Sequence, residues 1–142
     1  MQHELSPLAS RNAVNFGWPF FEGTAEVRSG APTPLVAPSF TYALGTGAFS
    51  GSAIRGGVYY DSRDPFERSR IASLEDRILF ADASGSILTV NLDFAPSSFE
   101  NRTLDFVPDA GTINSVLAMA ESFRRILFIL DADGEVFRVD PA

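Results

Sequence analysis

The tetrapeptide Arg-Ile-Leu-Phe occurs twice, at 77–80 and at 125–128, an offset of 125 − 77 = 48 residues. Each copy is followed within ten residues by a turn of small residues and then by a second apolar stretch. A self-match of that length, each copy reading as strand, tight turn and strand, marks an array of small antiparallel sheets such as the blades of a β-propeller. Two copies are too few to close a ring, so the same feature that predicts the architecture also predicts an incomplete one.

A chain of 142 residues with 45% apolar and 12% aromatic content can bury a core as one folded domain. Eleven basic residues scattered among eighteen acidic ones give a net charge of −7. That balance argues against nucleic acid as a partner, because phosphate contacts need clustered Lys and Arg. No cysteine is present, so neither a disulfide framework nor a thiolate metal site can form. The opening residues carry His3 and Glu4 where a secretory leader needs a basic start and an apolar run, and no stretch has the apolar length of a membrane span.

Residues 1–39 contain Pro19, Pro32, Pro34 and Pro38 and read as an irregular, aromatic and Pro-rich arm. Phe16, Trp18, Phe20 and Phe21 give that arm enough apolar area to be held in place by packing. Residues 40–142 read as a two-blade propeller-like domain. Strands are expected at Phe40–Leu44, 52–60, 77–81, 87–92, 102–106, 113–120, 125–130 and 135–139. Ala83-Ser84-Gly85 and Asp131-Ala132-Asp133-Gly134 supply the hairpin turns. Residues 115–130 are rich in good helix formers, yet the repeat assigns them to two strands. The polar stretch 62–76 is expected to project from the sheet edge, with at most a short helical turn. Val58, Tyr59, Ile78, Phe80, Ile87, Val90, Leu117, Ile126, Phe128 and Phe137 form the expected core. The fold class is therefore all-β, in antiparallel four-stranded blades, about two blades of a six-bladed β-propeller.

Asn15-Phe16-Gly17-Trp18-Pro19 followed by Glu22-Gly23 resembles the Gly-Trp-Pro-x-x-Glu-Gly motif of the soluble PQQ-dependent glucose/sorbosone (sugar) dehydrogenase family. Gly56-Gly57-Val58-Tyr59, the stretch from Phe80 through Asp82 and Gly85 to Ile87, and Gly134 through Val139 are similar to three further motifs of that family, in its order. The resemblance runs from about Asn15 to Val139 and covers what would be the C-terminal third of the ring. It implies a periplasmic or extracellular setting. It also implies that the family's histidine base and calcium loops lie in blades outside this chain, so that PQQ and calcium would be bound only if other blades complete the ring. The paired arginines that hold the quinone in active members fall on Thr112 and Asn114, which lack the charge such an anion needs. The family's cofactor lysine falls near Arg68 to Arg70.

Outside the resemblance the candidates are few. Asp131, Asp133 and Glu135 could offer carboxylates to calcium, although an Asp-Gly hairpin turn explains them more simply. Asp61, Asp64 and Glu67 lie beside Arg63 and Arg68 and read as solvated ion pairs. Trp18, Phe20 and Phe21 could stack on a carbohydrate or a partner, Arg124 and Arg125 could meet an acidic surface, and His3 reads as a mobile terminal residue rather than a base. The leading expectation is a non-catalytic binding or assembly module, a subunit or scaffold working with other protein subunits or copies of itself. The alternatives are a split part of a quinoprotein sugar dehydrogenase and a carbohydrate-binding module.

Overall fold

A computed structural model describes residues 2–6, 14–47, 50–61, 71–122 and 126–141. The chain divides into two compact units, Met1–Gly51 and Ser52–Ala142. In the first unit, β1 (Gln2–Leu5) pairs antiparallel with β4 (Phe40–Leu44), which pairs parallel with β5 (Ser50–Gly51). The short hairpin of β2 (Phe21–Glu22) and β3 (Ala25–Glu26) completes it. Among the described residues of 1–39, expected to be irregular, there are thus three strands of four, two and two residues. His3, opposite Tyr42 and half-buried, is a strand residue and not a loose terminus.

The second unit holds two antiparallel meanders. The first is four-stranded, in the order β6 (Ile54–Tyr60), β7 (Arg77–Asp82), β8 (Ile87–Asn91) and β9 (Glu100–Asn101). The second runs β10 (Val116–Glu121), β11 (Leu127–Asp131) and β12 (Val136–Val139). Aliphatic and β-branched residues fill the strands, and Gly85 and Gly134, at φ +90° and +98°, turn the two hairpins where an L side chain would be strained. Among the described residues there is no α-helix, and the helix-forming stretch 115–130 contains strands, as the repeat predicts. The strand expected at 102–106 is replaced by the brief pair Glu100–Asn101 and a single 3₁₀ turn, Thr103–Asp105. The Arg102 N–H still donates to the Ile87 carbonyl at 2.8 Å, and its side chain pairs with Glu100 and Asp105 at 2.8 and 3.0 Å.

The two meanders share one apolar core. Leu79, Ala81 and Ile87 from the first meet Val116, Met119, Leu127 and Ile129 from the second, with Tyr60 and Leu74 at the margin. The opposite face of the first sheet carries Phe80, Leu88 and Val90, which are also buried, with Phe99 stacked on Phe80 at 5.9 Å. Leu117 departs from the expected core and is 49% exposed. It is the extra residue of a β-bulge, because the register with β11 shifts between Val116 and Ala118, and a bulge hands one side chain to the other face. Truncating Leu127, fully buried at the centre of this core, to Ala is expected to cost about 3 kcal/mol. The midpoint of urea unfolding reads that loss, and a cost no larger than that of an exposed truncation such as Leu104→Ala would contradict the placement.

Candidate functional site

The two meanders are built on one turn used twice. Asp82 is buried, and its carboxylate accepts the backbone N–H of Ser52 at 2.7 Å, Ala53 at 2.9 Å and Ser84 at 2.9 Å, and the Ser52 hydroxyl at 3.1 Å. Asp131, also buried, accepts the N–H groups of Asn114 at 3.0 Å, Ser115 at 2.9 Å and Ala132 at 2.7 Å. Each carboxylate therefore ties its hairpin to the two residues that precede the first strand of its own sheet. Burial pushes both carboxyls up, but the amide hydrogen bonds outweigh it and leave both below the ordinary carboxylate value. Ala83 and Ala132 repeat the match by donating to the carbonyls of Ala53 and Ser115.

Aligning the turns gives an offset of 131 − 82 = 49 residues, one more than the tetrapeptide offset. Since side chains alternate across a strand, the difference of one changes which face each residue takes. Leu79, Ala81 and Ile87, which the first sheet turns toward the second, correspond to Phe128, Leu130 and Val136. Those three lie on the outer face of the second sheet, where Leu130 is 38% and Val136 64% exposed and Leu117 adds its bulged side chain. Leu130 and Val136 are directly opposite each other across β11 and β12. The outer face is thus the repeat of a face that elsewhere in the chain is covered. The signal that would have found it is the residue's spacing from the turn aspartate, not its membership of Arg-Ile-Leu-Phe.

A groove of about 540 Å³ runs beside β12. Consecutive residues from Val136 to Pro141 line one wall, and Asp105 through Ala110 line the other. A smaller cavity of about 280 Å³ lies among Gly85, Ile87, Thr103, Phe106 and Thr112.

The residues singled out from sequence do not converge. The Asp131 carboxylate is occupied by three amides, Asp133 is exposed on the turn, and Glu135 faces back to the Thr112 N–H at 3.4 Å. Among the described residues no three acidic or histidine side chains are grouped to hold a metal. Thr112 and Asn114 present their backbone N–H groups to the carboxylates of Glu135 and Asp131, so the position is acidic and does not fit an anionic quinone. Trp18 is 78% exposed in a turn of the first unit, while Phe20 and Phe21 are half-buried beside it. Asp64, Glu67, Arg63, Arg68, Arg70, Arg124 and Arg125 lie outside the described residues, and of the first acidic cluster only Asp61 is within them. No helix among the described residues is long and apolar enough to cross a membrane. No family model matches the chain, and no curated protein and no solved structure matches it.

Proposed function

We propose that the chain is a non-catalytic assembly module, in which the Ser52–Ala142 unit supplies two successive blades of an unclosed propeller-like stack and the outer face of the second blade is covered by a partner protein. The observation that carries this reading is the equivalence of Phe128, Leu130 and Val136 with Leu79, Ala81 and Ile87. A sheet in a repeat stack buries its faces only against its neighbours, and the last sheet here has an apolar face and no neighbour among the described residues. The complementary face, with Phe80, Leu88 and Val90, is already buried, so copies cannot continue the stack head to tail. The cover is another protein, or the same face of a second copy across a two-fold axis.

Light scattering on the purified chain separates those two covers, together with a dye that reports exposed apolar surface. The expected result is either a dimer or a 15.4 kDa monomer that binds the dye. Either behaviour should be lost in Leu117→Lys/Leu130→Lys without loss of folding, since both side chains already reach solvent. A compact monomer of the wild-type chain that binds no dye would sink the reading.

A further inference from the structure

We propose that the free edge of β12 is a strand-addition site that takes an extended, basic segment of a partner polypeptide into the groove beside it. This goes beyond the covering of the outer face, because it concerns the backbone edge of the sheet and does not require that face to be occupied.

The first meander shows what its counterpart lacks among the described residues. In the first sheet, Ile87 and Thr89 turn their backbone groups away from β7, and the chain's own next segment satisfies them. Arg102 N–H donates to the Ile87 carbonyl at 2.8 Å, the Ile87 N–H donates to the Thr103 hydroxyl at 3.0 Å, and Thr89 pairs with Glu100. The equivalents of Ile87 and Thr89 at the 49-residue offset are Val136 and Arg138. Asp131 N–H donates to the Glu135 carbonyl at 2.9 Å, which makes 131/135, 129/137 and 127/139 the hydrogen-bonded pairs of an antiparallel ladder. The N–H and C=O of Val136 and Arg138 therefore point away from β11, toward the groove. No strand among the described residues pairs with them.

The groove has the form of a strand slot. Residues of both parities from Val136 to Pro141 line it, which places it along the edge of β12 and not over one face. Phe106, Val107, Ile113 and Phe137 give it apolar walls for alternate side chains. Its charge selects the occupant: Asp105, Asp109 and Asp140 line it with Arg138, and counting Arg102, which pairs with Asp105 at 3.0 Å, the local charge is −3 + 2 = −1, with Asp109 the carboxylate outside both ion pairs. Arg138 is itself held by Asp140 at 2.7 Å. Lys or Arg on the incoming strand complements that lining, and the charge of −7 on the whole chain steers in the same direction.

The probe is a labelled synthetic peptide of residues 99–105 carrying Glu100→Lys and Asp105→Lys, which keeps the Asn101 and Thr103 that serve the edge of β8. Fluorescence anisotropy should show saturable binding to the full chain. Arg138→Pro removes one outward N–H from an edge strand, where proline is tolerated, and should weaken binding by about tenfold or more. Asp109→Lys, an exposed change with no role in the core, should weaken it several-fold, and the peptide with its original acids should bind about tenfold less well. Absence of saturable binding to the wild type, or indifference to Arg138→Pro in a chain that remains folded, overturns the site. Indifference to both charge changes overturns the basic partner. Leu117→Lys/Leu130→Lys should leave peptide binding intact, so failure of the face reading and failure of the edge site are separately visible.

Discussion

Asp82→Ala should destabilise the Ser52–Ala142 unit by about 3–5 kcal/mol, because it removes one buried acceptor and strands the backbone N–H groups of Ser52, Ala53 and Ser84 together with the Ser52 hydroxyl. Domains of this size are stable by roughly 5–10 kcal/mol, so the variant sits near the threshold of folding. Asp82→Asn keeps the volume and one acceptor oxygen and should lose about half as much. Urea unfolding measures both, and a loss below about 1 kcal/mol for the alanine variant would mean that the turn is not anchored through this carboxylate.

The same two carboxylates set a pH dependence whose sign is fixed by their direction of shift. Asp82 and Asp131 are held below the ordinary 3.8 in the folded chain, so the unfolded chain binds their protons more tightly. Their contribution is fully present above the unfolded value and is lost as pH falls through the range below it. Urea midpoints should therefore decline as pH is lowered from about 5 toward 3, and the decline should be shallower in Asp131→Asn, which has one such group fewer.

The repeat made the two-sheet architecture legible, and the glycine-bearing turns placed both hairpins within a residue or two. What could not be read was which face each strand residue takes. Arg-Ile-Leu-Phe matches at 48 while the aspartate turns match at 49, so Leu79 and Leu127, identical in the tetrapeptide, come from opposite repeat faces to meet in one core. Leu117 was lost to the same effect, since a bulge has no composition of its own until the partner strand is known. The fourth strand of the first sheet was misplaced because its two residues, Glu100 and Asn101, carry no apolar alternation. Pairing to Leu88 and Thr89 holds them, not propensity. The outer face and the β12 edge were hidden for a related reason: each is defined by what the repeat leaves uncovered among the described residues.

The approach of the two sheets depends on Gly56, and Gly56→Ala should cost about 3–4 kcal/mol. Gly56 sits at φ +64° where the register of β6 against β7 shifts between Arg55 and Val58, and a Cβ there would lie 2.6 Å from the Met119 N and 3.3 Å from Ala118 backbone atoms. Neither obstacle is a flexible side chain, so relief requires β10 to move away from β6, which draws Met119 and Val116 off Leu79 and Ala81. Gly134→Ala separates the two parts of that cost. Its φ of +98° is at least as unfavourable for alanine, but a Cβ there meets nothing within 4 Å, so it should lose only about 1–2 kcal/mol of backbone strain. Thermal unfolding of the two variants side by side isolates the steric difference. Gly56→Ala should also increase binding of an apolar dye, because parting the sheets exposes the inner face as well as the outer one. Equal losses in the two variants would mean that backbone conformation alone fixes these glycines and that the sheets are not held at this distance by the β6–β10 contact.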